Sequence, residues 1–510
     1  MCSSDLVKEI LGVTEDLLNA EFHDVLPGTS VQCGEDAGLR FLNHGLLQAE
    51  RVKVRAYFAL ARTEEPAREG EYPIVVFNPH PYGLTENVEC EFMLADQNWD
   101  SGTVAKIRVL DGEGNELPHQ LVKEESNINL DWRKRVVFEA RLKPLALARF
   151  SVYVETVPNT KKELSESFVF DNGRKHVEID RNTGLLSSYR IDGVEYLSEG
   201  AGLFSFDDNA DPWAMAAHQQ KRLGTNGQPF ALSQKPEGVF EGMKSVQVIE
   251  DGKIYLGIEA FFESGHSRAR IGYKIYKNND AVDIDITVFF GDIDRMIKYR
   301  LPVAFKGRLI GQTAFGTEEL FEDSRENVAQ RFVAIRNNEK ALALFNRDVY
   351  GNHFEDGALY MSLLRGATYC AHPIEGRELI PSDRFTKKID QGENRFSFRL
   401  LLTDTDKLER GSREFTEQPF AQNIFPLECK TKADGGIGLE LGDKTVSLVA
   451  MKKASGRDAV IFRLLNNTEN AVDTHITAFG RRLPLSFGKY EVKTVVFEEG
   501  RLFESPELLI

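Results

Sequence analysis

From Glu71 onward the chain is written in short runs that alternate apolar and polar residues, and no other feature limits its fold so strongly. Side chains of a strand point to opposite faces in turn, so alternation every second residue describes a strand buried on one side only. "RVVFEARLKPLALARFSVYVE" reads this way, as does "AVDIDITVFF", where Val282, Ile284, Ile286 and Val288 share one face. The turn sequences "DGEGN", "RNTG", "IDG" and "KNND" separate such runs, each with Gly, Asn or Asp where tight turns need them. No alternation of strands and helices suggests a barrel or a doubly wound sheet, and no internal repeat is visible.

The opening 62 residues follow a different rule. In "DLVKEILGVTEDLLNAEFHD" the residues Leu6, Ile10, Leu11, Leu17, Leu18 and Phe22 recur every three or four positions, and Pro27-Gly28 ends the run. A second run, Asp36 to Leu60, repeats the pattern through Leu39, Leu42, Leu46, Ala49, Val52 and Ala56. The two stripes are expected to pack on each other as an antiparallel pair. Such a pair is a thin core, and half a bundle suggests helices upstream of it. "CSSDL" coincides with one reading frame of a common sequencing adapter, so Met1 to about Leu6 reads as an assembly artefact on a truncated frame.

The fold class expected is therefore mainly β with a short N-terminal α-helical segment. Polar breaks at "VPNTKKELSES" and "GSREFTEQPFAQ" divide 510 residues into four parts: 1–62 helical, 71–158 a small β-sandwich, 165–405 a large β unit, and 415–510 a final small sandwich.

Charge and composition exclude several functions. A net charge of −16 with no basic stripe argues against nucleic acid. No apolar run is long enough to span a bilayer and the N-terminus has no signal-like core, so a cytoplasmic location without a membrane partner is expected. Cys2, Cys33, Cys90, Cys370 and Cys429 are scattered and never spaced C-x-x-C; they read as reduced, mostly buried thiols. There is no G-x-S-x-G, P-loop, dinucleotide fingerprint or H-E-x-x-H.

Four stretches could carry chemistry. His23 and Asp24 sit at a helix end just before the Pro-Gly break; a lone histidine is usually structural, and zinc needs about four ligands that this region does not supply. In "FDDNADPWAM", Asp207, Asp208 and Asp211 crowd around Asn209 and Trp213. Carboxylates accept sugar hydroxyls while an indole covers the apolar C–H face, although a solvated loop anchored by its tryptophan explains the pattern equally well. "NRDVYGNHFEDG", with Asp348, Tyr350 and His353, reads more simply as a polar hairpin. His372 near Cys370 in "YCAHP" reads as a buried strand end.

Taken together, "FHDVLPGTS", "VFNPHPYG", "EESNINLDWRKRVVFEA", "HVEIDRNTGLLSSY", "FDDNADPWAM", "LLRGATYCAHP" and "RFTKKIDQGENRFSFRLLL" resemble, in order, blocks of the bacterial α-mannosidases of glycoside hydrolase family 38. The resemblance implies an N-terminal α/β barrel, a three-helix segment and C-terminal β-sandwiches, the large one a galactose-mutarotase-like supersandwich. It implies that His23 corresponds to a zinc ligand and Asp24 to a contact of bound mannose. By block position it makes Asp211 and Trp213 further substrate contacts. The family's H-x-D ligands, nucleophile and general acid belong to the barrel; this sequence contains no H-x-D, so no catalytic residue is assigned here. The implied reaction is retaining hydrolysis of terminal α-mannosyl residues from glycans or oligosaccharides, assisted by one zinc ion. These residues alone are expected neither to hold zinc tightly nor to turn over a mannoside. Homo-oligomers are common in the family. The alternatives are a non-catalytic carbohydrate-binding or scaffold protein, and a self-sufficient glycosidase using two of Asp207, Asp208 and Asp211.

Overall fold

The structure is a computed structural model and describes residues 3–126, 128, 130–160, 164, 166–213, 227–234, 241–372, 374–426, 438–454 and 456–506. It is mainly β, as expected, in several sheets preceded by a helical hairpin.

The first helix is Ser3–Ala20 and the second Gln32–Ala61, starting four residues before the periodicity suggested. Pro27 and Gly28 lie in the turn between them, with Gly28 at φ +73°, a conformation that glycine adopts without penalty. The helices do not meet through their leucine stripes. They meet where the second helix is small or polar: a Cβ at Gly45 would lie 3.2 Å from the Asp16 Cβ. His44 Nδ1 lies 2.7 Å from Asp16 and Arg55 pairs with Glu9. Close approach of the first helix at the buried Gly45 directs the stripes away from the joint, while the buried Gly38 makes room for Val25 of the connecting turn. Leu18 and Leu46 are 62% and 63% exposed, and Ile10, Leu11, Leu17, Phe22, Leu39 and Leu60 are exposed as well. The far end of the second helix is anchored by Tyr57 and Ala61, which pack on Val75 and Ile424; the Tyr57 hydroxyl donates to the Val75 carbonyl at 2.8 Å.

The first sandwich pairs a four-stranded sheet (Phe420–Asn423, Glu71–Phe77, Leu147–Pro158, Thr103–Leu110) with a three-stranded one (Leu84–Asn98, Asp131–Leu142, His119–Val122). Ile74, Val88, Ile107, Phe138 and Phe150 lie in its core. "RVVFEARLKPLALARFSVYVE" is two strands rather than one, broken after Leu142 where Leu145 takes φ +43°. "GSREFTEQPFAQ" is more than a break. It holds most of the helix Leu408–Thr416 and then the strand Phe420–Asn423, which returns to form the edge beside Ile74–Phe77.

The central unit stacks a six-stranded sheet on a ten-stranded one, and the largest core lies between them. Val282, Ile284, Ile286 and Val288 belong to that core, each at most 1% exposed, as period-two reading requires. Gly184 closes the "RNTG" turn at φ +71°, where a Cβ would come within 3.0 Å of Ala260, Leu232 and Phe262. The last sandwich has a three-stranded and a four-stranded sheet around Phe462, Leu464, Ile476 and Val495. Among the described residues no helix is long and apolar enough to cross a membrane.

Of the three described cysteines only Cys90 is buried. Cys33 opens the second helix on its exposed side and Cys370 lies in a loop, so the expectation of mostly buried thiols fails for both. Cys2 and Cys429 lie outside the described residues.

Candidate functional site

Three neighbouring strands of the six-stranded sheet, Gly202–Asp207, Arg295–Pro302 and Ala358–Arg365, deliver their ends to one place, because Asp207 pairs with Arg295 and Met296 with Arg365. The loops leaving these ends are tied to each other by backbone hydrogen bonds. The amide of Asp208 donates to the Asp294 carbonyl (2.9 Å), that of Asp294 to Gly366 (3.0 Å), that of Thr368 to Ala210 (2.9 Å) and that of Ile389 to Ala367 (3.0 Å). Side chains lock the same loops. Arg365 Nε donates to Asp208 Oδ2 at 2.7 Å, its Nη2 to the Asp211 carbonyl at 3.0 Å, and Lys388 pairs with Asp294 at 2.8 Å.

This cluster stores backbone strain. Asp294 (φ +52°), Cys370 (φ +44°) and Asp390 (φ +58°) are all left-handed non-glycine residues. Each such conformation costs roughly 1–3 kcal/mol and persists only where surrounding bonds fix it, which is typical of functional loops. Burial raises the Asp390 carboxyl above its ordinary value although the Arg365 amide donates to it, and the nearby charge of Glu35 adds to the rise.

The three acids of "FDDNADPWAM" have separate duties. Asp207 is an exposed partner of Arg295. Asp208, its side chain 1% exposed, is held by Arg365. Asp211 is 5% exposed; its Oδ1 accepts the Trp213 amide at 2.9 Å while its own amide donates to Asn209 Oδ1 at 3.0 Å. Asp211 therefore fixes the turn that presents Trp213, whose indole is 57% exposed. The rest of that block, Ala214 and Met215, lies outside the described residues.

His23 and Asp24 occupy the turn after the first helix. The imidazole is open to solvent, rests on Phe22 at 4.3 Å between ring centres, and has Nε2 3.5 Å from Asp24 Oδ2. The Thr29 amide donates to the Asp24 carbonyl at 3.0 Å and its hydroxyl to Asp24 Oδ1 at 3.3 Å, which hold the turn. This end of the hairpin lies beside the loop cluster at Tyr369, whose phenol feels Glu35 in the first turn of the second helix. Burial, Glu35 and Asp36 raise that phenol well above its ordinary value. His23 and Asp24 are only two metal donors, and among the described residues no group of three or more His, Cys, Asp or Glu could hold a metal ion. The residues present do not make a zinc centre by themselves.

His372, expected at a buried strand end, is exposed in the loop that follows Ala358–Arg365. A polar loop instead of a continuing strand accounts for this. His353, placed by its sequence in a polar hairpin, is 3% exposed on the outer face of the six-stranded sheet. Lys298, fully buried, donates to His353 Nδ1 at 2.8 Å and pairs with Glu326. The His353 ring stacks on Tyr360 at 4.5 Å. Since Lys298 can only donate, Nδ1 must accept and the imidazole is neutral; burial and the Lys298 charge lower its pKa accordingly, against the pull of Glu326. Burial alone would raise Glu326, but Lys298 and His353 outweigh it and hold the carboxyl down at about 2.

Residues 170–374 match the family described as "Glycosyl hydrolases family 38 C-terminal domain". Among the solved structures that share the fold are two from Enterococcus faecalis. An alpha-mannosidase from Enterococcus faecalis V583 is 14% identical, with a TM-score of 0.73 over 95% of this chain and 63% of that one. A protein in the Glycosyl Hydrolase Family 38 from Enterococcus faecalis is 13% identical, with a TM-score of 0.71 over 93% of this chain and 64% of that one. The chain thus spans less than two thirds of the length of these relatives. No curated protein matches the sequence.

Proposed function

We propose, on the premise that the chain carries the C-terminal domain of glycosyl hydrolase family 38 over residues 170–374, that it serves hydrolysis of terminal α-mannosyl residues and supplies a non-catalytic wall of the sugar site. The observation that carries this reading is the strained loop cluster that presents the exposed Trp213 indole, its Tyr369 close to Glu35 beside the turn bearing His23 and Asp24. Trp213 covers the apolar face of a sugar ring. Asp211 acts as a positioning residue for that indole. The Asp24 carboxylate, partly exposed beside His23, accepts a sugar hydroxyl on a remaining lone pair.

The acids of the loop do not themselves form a hydrolytic pair. Retaining hydrolysis needs two carboxyl groups about 5–5.5 Å apart across the bond, whereas Asp207 and Asp208 are engaged by arginines and Asp211 by the Trp213 amide. The nucleophile and the acid lie outside the described residues in this reading. A zinc ion belongs to it only with donors from outside them too, beyond His23 and Asp24. The exposed leucine faces of the helical hairpin support docking of a further domain beside that turn, since an apolar surface of this extent favours burial.

A binding or scaffold role without chemistry is the rival reading, and one pair of assays separates the possibilities. Methyl α-mannopyranoside should bind this chain in a Trp213-dependent way, while an aryl α-mannoside with added zinc should not be turned over. Turnover would place the nucleophile within the chain and overturn the non-catalytic role. Binding lost neither in Trp213→Ala nor in Asp211→Asn would overturn the assigned wall.

A further inference from the structure

The last sandwich carries a concave surface that the proposed sugar site does not use. Each of its sheets ends in an edge strand, Arg481–Phe487 in one and Arg501–Ser505 in the other. These edges run beside each other, and a depression of about 770 Å³ opens between them at their hairpin tips. Both tips are two-residue turns, Phe479-Gly480 and Glu499-Gly500, with every φ between +47° and +74°. This is the type I′ geometry that suits a twisted hairpin, so backbone conformation defines the rim. Arg481 Nε donates to the Gly500 carbonyl at 3.1 Å and ties one tip to the other.

Two observations identify the guest. The first is the lining: Arg481, Arg482 and Arg501 with Leu502 and Phe503, and no acidic side chain. Arg481 stands opposite the core residue Ala478 and so points between the sheets, while Arg482 and Arg501 take the outer flanks of their strands. The second is that no carboxylate answers these guanidiniums among the described residues, in a chain with 79 Asp and Glu against 63 Lys and Arg. Elsewhere Arg149 is paired with Glu71, Arg365 with Asp208 and Arg399 with Asp283. Here Arg482 Nη2 donates to His475 Nδ1 at 3.3 Å, and the Arg501 guanidinium has no partner among the described residues.

Positive charge without a counter-ion attracts an anion, and the guanidinium fork matches the oxygens of a phosphate. Three cations suit a phosphate monoester, which carries about −1.5 to −2 at pH 7, better than a single carboxylate. Phe503, 39% exposed, and Leu502 offer apolar surface to the esterified group. A net charge of −16 repels long polyanions such as nucleic acid. A compact anion needs only the local field, since charge is screened beyond about 8 Å at physiological salt. We infer that this depression binds a small phosphate monoester, its dianion held among the three arginines and its organic group laid on Phe503 and Leu502. The site rests on the last sandwich alone and does not depend on the mannoside reading.

Calorimetric titration of the full chain with phenyl phosphate, inorganic phosphate and benzoate tests it. Phenyl phosphate should bind at one site, at least about tenfold tighter than either of the others. Arg501→Gln should weaken that binding at least about tenfold, the loss of one charge-assisted contact, and Phe503→Ala should reduce it to the level of inorganic phosphate. Trp213→Ala should leave it unchanged. Arg501 is exposed, so Arg501→Gln decides alone should Phe503→Ala fail to fold. The site is overturned if phenyl phosphate shows no saturable binding, if Arg501→Gln leaves the affinity as it was, or if inorganic phosphate binds equally well. Capture of a short DNA duplex without any response to phenyl phosphate would overturn it too, and would mark the arginines as part of a nucleic-acid surface.

Discussion

Replacing Glu326 with Gln removes one charge from a cluster in which every other member stays buried. Lys298 is 0% exposed and His353 is 3% exposed, so the ammonium would keep only the neutral imidazole Nδ1 and lose its counter-ion. The magnitude follows from the carboxyl itself. Its pKa is held at about 2 against an ordinary 4.5, and at roughly 1.4 kcal/mol per pH unit that difference corresponds to about 3 kcal/mol. The side chain is 17% exposed, so solvent screening removes little of it. Because the folded-state value lies below the unfolded one, the contribution is complete above about pH 4.5 and vanishes as the pH falls through about 2. Urea unfolding of both proteins at several pH values should therefore give a gap of about 3 kcal/mol at pH 7 that is clearly narrower at pH 3. The double variant Glu326→Gln/Lys298→Met should recover part of the loss, since an apolar side chain needs no counter-ion. A gap that is the same at pH 7 and pH 3, or below about 0.5 kcal/mol throughout, would refute the buried ion pair.

Gly184→Ala should cost about 1–3 kcal/mol in urea unfolding, because the new Cβ meets Ala260, Leu232 and Phe262 at a positive φ. Leu18→Glu with Leu46→Glu should leave stability within about 0.5 kcal/mol yet reduce binding of a hydrophobic dye, as both leucines are largely exposed; a large loss of stability would mean that the stripes are covered. Tyr369→Ala should loosen the helical turn where it meets the loop cluster, because it removes the side chain that lies beside Glu35. Amide exchange over residues 21–35 should then rise, while the Tyr57 anchor at the far end keeps its protection.

The β architecture was legible because it depends on local pattern. Alternation in "AVDIDITVFF" specifies the face that the core takes, and Asp, Asn and Gly mark the turns without knowledge of any partner strand. The helical hairpin was legible as two helices but not as a packed pair. Periodicity identifies an apolar stripe without naming what covers it, while Gly45, which sets the approach, looks like a helix weakener in the sequence. Within the candidate site, Trp213 and its acids stood out as one short block. The residues that hold that block did not: Arg365 reaches Asp208 from a strand two places along the sheet, and Tyr369 meets Glu35 across more than three hundred residues. Lys298, Glu326 and His353 were equally hidden, since a lysine within "RMIKYRLP" alternates like any solvent-facing residue until the layer above it is known.

The central claim is that Trp213 forms part of a mannoside-binding wall. Fluorine NMR of the chain labelled with 5-fluorotryptophan isolates that side chain, with its resonance assigned by Trp213→Phe. Titration with methyl α-mannopyranoside should shift the Trp213 signal and leave those of Trp99 and Trp132 in place, and Asp211→Asn should weaken the response. A Trp213 signal that does not move with the mannoside, or that moves equally with methyl β-galactopyranoside, would contradict the account.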